Sequence, residues 1–201
     1  MFNLPKETYV NRFIAKNKFY NNVAISSKVK EDFIRKVEKI TWLYKLSPNT
    51  LNIDNTDNVE EIEIIEIIIK EKNVPVGVIN TIIKSIPYKI LFLVRYQNDY
   101  CYAAKAEELF ITEWNKEYKF DFKGYTLESV YQNIIKVLIN KEEIHENFDS
   151  IIQKKKDEDE LLKKISILET KVKNEKQFDR QVQYNMELNE LRNKLKQYRE
   201  D

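Results

Sequence analysis

Apolar residues recur along this chain with two different periods, and the changes between them mark out its elements. Val29, Phe33, Val37 and Ile40 stand four, four and three positions apart with lysines and acids between them. That spacing predicts an amphipathic helix from Ser27 to about Tyr44, capped by Ser26 or Ser27 and stopped at Ser47-Pro48. From Val59 to Lys70 the run VEEIEIIEIIIK is dominated by β-branched isoleucine and reads as a central strand. Pro75 opens a short helix through about Ser85, with Val78, Ile79, Ile82, Ile83 and Ile86 as its buried stripe and Pro87 beyond its end. The runs KILFLVRY and DYCYAAKA, parted by Gln97, Asn98 and Asp99, read as a hairpin. Further β segments are expected at Phe110–Trp114 and, more weakly, Tyr118–Phe122. Gly124 marks a turn, and Thr126 caps a helix whose inner face is Leu127, Val130, Tyr131, Ile134, Ile135 and Leu138. The order β-α-β-β-β-α behind a leading helix predicts an α+β domain over residues 1–140, a mainly antiparallel sheet with flanking helices.

The character of the chain changes near residue 141. Residues 141–201 contain no Pro, Gly, Trp or Cys, and 29 of these 61 positions are charged. Leu161, Ile165, Leu168 and Val172 keep a 4-3-4 spacing, as a coiled-coil seam requires. The pattern fails at Glu175 and Asp179, then resumes as Tyr184, Leu188, Leu191, Leu195 and Tyr198, with Phe178 and Val182 in between. A turn between two antiparallel helices or a stutter in one continuous helix would each produce that break. Upstream, Ile144, Phe148, Ile151 and Ile152 form a shorter stripe. The expectation is a charged helical, coiled-coil extension that must pack on its own partner helix, a second copy or another protein.

Composition narrows the chemistry. Among 201 residues there are only two glycines, Gly77 and Gly124, one cysteine and one histidine. Phosphate loops and dinucleotide fingerprints need clustered glycines, while zinc sites and histidine-based triads need more Cys or His. Cys101 lies in an apolar-aromatic run and reads as a buried, inert thiol. His145, in EEIHENF, reads as a solvated surface residue. No stretch approaches the roughly 18 apolar residues of a membrane span, and the start lacks a signal-peptide core, so a cytoplasmic protein without membrane contact is expected. Formal charge is +1, from 34 bases and 33 acids. It is segregated: residues 1–45 carry ten bases and four acids, and residues 46–75 carry seven acids and two bases.

Two chemistries fit that distribution. In the basic head, Lys6, Arg12, Lys16, Lys18 and Lys45 alternate with aromatic residues including Trp42, the mixture of backbone-neutralising charge and stacking surface used by single-strand binders. A restriction-type nuclease would need an acid and a D/E-x-K pair holding Mg²⁺. Glu117-Tyr118-Lys119 and Asp121-Phe122-Lys123 match the pair, and Asp99 precedes them at a turn. Glu63 and Glu66 are the unusual carboxylates, because both sit in the isoleucine-rich strand. A buried Glu66 needs a partner, for which Lys70, Lys84, Lys89 and Lys105 are candidates. No resident metal or other cofactor is expected, Mg²⁺ entering only with the nuclease reading.

LPKET at the start, TWLYKLSPNTLNI, SIPYKILFLVRY and the tail string NEKQFDRQVQYNMELNELRNKL together resemble the bacterial proteins grouped as domain of unknown function 4391. The similarity runs through head, core and tail in the same order. It implies a partner of the kind found in restriction or phage-defence loci, where relatives stand beside helicases and DNA methyltransferases, and it assigns no catalytic residue. The expectation is therefore a non-enzymatic accessory or adaptor protein docking through its tail on such a partner or on a second copy. A nucleic-acid-binding or metal-dependent nuclease component acting on DNA is the alternative.

Overall fold

A computed structural model describes residues 2–20, 23–139 and 148–200. His145 and Ile144 lie outside the described residues. The chain divides into two compact units, Met1–Ile144 and His145–Asp201.

The first unit is α+β, built on one six-stranded sheet whose strand order follows the chain: β1 (Tyr9–Phe13), β2 (Val37–Leu46), β3 (Ile62–Ile69), β4 (Lys89–Tyr96), β5 (Asp99–Lys105) and β6 (Leu109–Ile111). Every neighbouring pair is antiparallel except β3 and β4. Those two are parallel because α4 (Val76–Ser85) carries the chain back between them, as a crossover must. The sheet is thus mixed but mostly antiparallel. Short helices α1 (Asn17–Tyr20) and α3 (Pro48–Leu51) flank α2 (Ser27–Arg35) and β2, and α5 (Leu127–Leu138) follows the sheet.

The helix expected over residues 27–44 is corrected. It ends at Arg35, and Val37–Leu46 is a ten-residue strand. Val37, Ile40, Thr41, Trp42 and Tyr44 are β-branched or aromatic and favour a pleated surface. The helical spacing misled because a bulge between Val37 and Lys39 puts Val37 and Ile40, three apart, into the same core. Strand β1, absent from the sequence reading, pairs with β2 and carries its own irregularity between Tyr9 and Arg12, where Asn11 has φ 45°. Tyr118–Phe122, expected as a weak strand, joins no ladder. The helix after Pro75, the hairpin turned at Gln97-Asn98 and the Ser26 cap are as expected.

Alternation along the strands assigns each face. Ile65, Ile67 and Ile69 of β3, Ile90, Phe92 and Val94 of β4, and Cys101 and Ala103 of β5 pack with Phe33 of α2 and Val78, Ile79 and Ile82 of α4. Gly77 lets the two helices approach, since a Cβ there would stand 3.2 Å from Val29 Cγ2. Cys101 is buried, as expected, and burial pushes its thiol up to about 12. On the opposite face, the Lys89 ammonium lies 5.7 Å from the centre of the Tyr131 ring, which ties α5 to that side at one end of the strands. Thr126 Oγ1 accepts the Ser129 N–H while Ser129 Oγ accepts the Thr126 N–H, a reciprocal cap that seeds α5. Gly124 is needed for space: a Cβ there would collide with Ser129 Oγ. Thr126→Ala should lower the stability of the domain by about 1 kcal/mol, measured as a shift in denaturant midpoint.

The second unit is two helices, α6 (Phe148–Asn174) and α7 (Phe178–Glu200), packed antiparallel. The interrupted pattern at Glu175 is therefore a turn. The Glu175 carboxylate accepts the backbone N–H groups of Lys176 and Gln177 there, at 2.8 and 3.0 Å. Leu161, Ile165, Leu168, Leu188 and Leu195 are buried together with Val172, Tyr184 and Leu191 against them. Arg192–Glu169 and Arg199–Glu158, both at 2.7 Å, and the Tyr198 hydroxyl on Asp157 at 3.1 Å, tie the helices along the seam. No described helix is long and apolar enough to cross a membrane.

Candidate functional site

Within the described residues of the first unit, α5 covers one end of the sheet face opposite α2 and α4. Beyond the end held by α5, Glu66, Leu93 and Tyr102 form one cross-strand row and Ile68, Arg95 and Tyr100 the next. Arg95 Nε donates to Glu66 Oε1 at 3.0 Å, with the carboxylate mostly buried and the guanidinium half exposed. Arg95, not one of the four lysines, is the partner of Glu66. Two of the lysines are engaged elsewhere. Lys70 donates to the Ile34 carbonyl, Lys89 reaches Tyr131 at the far end of the face, and Arg95 is the residue whose register brings it diagonally beside Glu66.

Aromatic rings wall this region. Phe2 packs edge-on against Tyr44 and Tyr102, both at 5.9 Å between ring centres. Tyr9 lies 5.4 Å from Tyr44. From the segment after β6, Tyr118 and Phe120 stand 6.1 and 4.8 Å from Tyr102. Alternation in that segment points Tyr118, Phe120 and Phe122 one way and leaves Glu117, Lys119, Asp121 and Lys123 exposed. Phe2, Tyr9, Tyr44, Tyr102 and Tyr118 line an open cavity of about 430 Å³ together with Glu66, Arg95, Glu117 and Lys119. Tyr102 is held above the ordinary tyrosine range by burial, with Tyr100 adding to the shift and Arg95 opposing it.

The sequence candidates therefore separate. Glu66, Glu117 and Lys119 line one cavity. Asp99 does not, being held in its anionic form by the Lys72 ammonium at 2.6 Å and the Asn115 amide at 2.5 Å. Glu63, three residues from Glu66, takes the other face of β3. Its carboxylate is buried and accepts the Trp42 indole N–H. Burial raises Glu63 to about 7, against the opposing Trp42 hydrogen bond, and neighbouring Glu61 pushes the same way as burial. Lys45 is bound to Glu61 at 2.7 Å, a contact that raises its own pKa. Trp42 and Lys45 thus belong to a carboxylate cluster and not to the aromatic cavity. Of the remaining basic residues, Lys16 donates to the Val37 carbonyl at 2.5 Å, Lys6 lies in the 3₁₀ turn Lys6–Thr8, Arg12 is exposed on β1 and Lys18 is on α1. Among the described residues no group of three or more His, Cys, Asp or Glu is placed to hold a metal ion.

Sequence reasoning passed over Arg95, Tyr100, Tyr102 and Glu61. The signal for the cavity was present as aromatics two apart, Tyr100 with Tyr102 and Tyr118 with Phe120 and Phe122, which a strand sends to one face.

Residues 2–195 match the family model described as Domain of unknown function (DUF4391). The chain belongs to this family. A search of curated proteins and of solved structures gave no match. In this DUF4391 chain the match takes in both units, the cavity residues from Phe2 to Lys119 and the helical hairpin as far as Leu195.

Proposed function

We propose that this DUF4391 protein is a non-enzymatic accessory or adaptor component of a bacterial restriction or phage-defence type system. It docks through its helical tail on a helicase or DNA methyltransferase, or on a second copy of itself. One observation carries the reading. The seam of the hairpin is consumed internally, yet Phe178, Val182 and Met186 remain 75, 41 and 62% exposed. At intervals of four they form a stripe on α7 about half a turn away from Tyr184, Leu188, Leu191 and Leu195. A second apolar face on a charged hairpin is what coiled-coil-like docking would use.

Val182→Glu combined with Met186→Glu tests this. The double variant should keep its helical content and melting temperature. It should lose both co-purification with a co-expressed helicase or methyltransferase and, by light scattering, any self-association. Undiminished association in the double variant would overturn the reading.

The alternative, a nucleic-acid-binding or Mg²⁺-dependent nuclease component, is favoured by Glu66, Glu117 and Lys119 lining one cavity. Incubation of plasmid and single-stranded DNA with Mg²⁺ tests its cleavage half, with Glu117→Ala and Lys119→Ala expected to abolish any nicking.

A further inference from the structure

We propose that the cavity on the open face of the sheet is a binding site for a single unpaired nucleobase, with guanine the best match. The proposal deepens the nucleic-acid reading above by naming its ligand, and it does not depend on docking by the hairpin.

Size, walls and polar groups converge on this class. A volume of about 430 Å³ holds one base with its sugar and excludes a duplex. The walls are rings of Tyr44, Tyr100, Tyr102 and Tyr118, against which the π-face of any base can stack. The rings hold each other edge-on or tilted: Tyr100 meets Tyr102 at 70° and Tyr102 meets Tyr118 at 85°. Ring faces are therefore not all spent on neighbouring rings.

Selectivity comes from the Glu66–Arg95 pair in the lining. Arg95 Nε donates to Glu66 Oε1, which leaves a lone pair on that oxygen, the whole of Oε2 and the two Nη groups of Arg95 as adjacent acceptors and donors. Guanine alone among the common bases presents two N–H donors, N1 and N2, beside an acceptor, O6. A carboxylate takes the donors and a guanidinium takes the acceptor. Thymine and cytosine cannot offer the paired donors. The charges of the lining also point to a base and not to a cluster of phosphates. Glu66 and Glu117 balance Arg95 and Lys119, so the cavity is formally neutral. Recognition here should consequently depend little on salt, in contrast to binding by backbone neutralisation.

The test uses the full chain in EDTA, so that binding is read without cleavage and its failure is separate from that of the nuclease assay. Short fluorescein-labelled thymidine strands, with or without one central guanine, are titrated by anisotropy at two salt concentrations. The guanine strand should bind about tenfold tighter, the margin of one good bidentate contact. Glu66→Gln should erase most of that preference. Tyr9→Ala, which removes a ring that is 55% exposed and so risks little of the fold, should weaken both strands several-fold. Competition by guanosine monophosphate would uphold the site and identify a free nucleotide as its ligand, whereas guanine-strand binding that resists the monophosphate would uphold it for a strand. Absence of binding to every probe, or a guanine preference that survives Glu66→Gln, would overturn the proposal. So would binding that vanishes with salt and ignores both substitutions.

Discussion

Phe33→Ala should cost about 3–5 kcal/mol of stability, a loss large enough to leave much of the protein unfolded at physiological temperature. Phe33 is fully buried, its ring stacked 6.1 Å from Phe19 and edge-on to Tyr20 at 5.6 Å. It is the large side chain by which α2, only nine residues long, enters the core under the sheet. A helix so short has little stability of its own and depends on this burial. Truncation would leave a cavity between α2 and the isoleucines of β3. Ile34→Ala, one residue along and 56% exposed, is the matched control and should stay within about 0.5 kcal/mol of the parent. Equilibrium urea unfolding measures both. Equal, small losses in the two variants would mean that α2 does not belong to the core.

The second large effect is a stability that falls as pH rises. Glu63 has an ordinary value of 4.5 and is raised to about 7 in the folded protein, first by burial. Between those two values the native state holds a proton that the unfolded chain has released. Folding is therefore penalised progressively as pH climbs from about 4.5 to about 7, and the penalty is complete above that. A shift of this size corresponds to about 2–3 kcal/mol between pH 4.5 and pH 8. Glu63→Gln keeps the shape of the protonated acid and an oxygen for the Trp42 N–H. It should flatten this slope and make the variant the more stable protein at pH 8. Denaturant midpoints across that range, on parent and variant, give the answer. A parent whose stability is level or rises with pH over this window would show that Glu63 is already ionised in the fold.

What could be read from the residues follows from where local preference and tertiary demand agree. Proline and a capping threonine set the limits of α4 and α5, and the polar pair Gln97-Asn98 set the hairpin, because each constrains the backbone within a turn of itself. The tail resolved into a hairpin for a similar reason, since an apolar seam needs a partner and the interruption at Glu175 lets α7 supply it. The segment 36–46 was opaque because a bulged strand can repeat apolar residues three apart, the interval of a helix. Strand β1 was opaque because its burial is slight: Tyr9 and Phe13 are exposed, and no alternation announces it. The site was half legible. Glu66, Glu117 and Lys119 stood out as charges in unusual company. Their meeting in one cavity depends on the path of the chain after β6, where Tyr118 and Phe120 pack on Tyr102 across sixteen or more residues of sequence. Arg95 was hidden for the same reason, because only the parallel register of β3 with β4 puts it beside Glu66.

The ordering of the strands has one more outcome. Among the described residues, a sheet that runs from β1 to β6 in chain order ends in two unpaired edges, each a template on which another chain could add a strand. Both edges are blunted. Strand β1 is kinked at Asn11 and bears Arg12, and β6 is three residues long. A kinked or truncated rim offers too few aligned amides for runaway strand addition, so the sheet resists growing into amyloid-like stacks even with its many isoleucines.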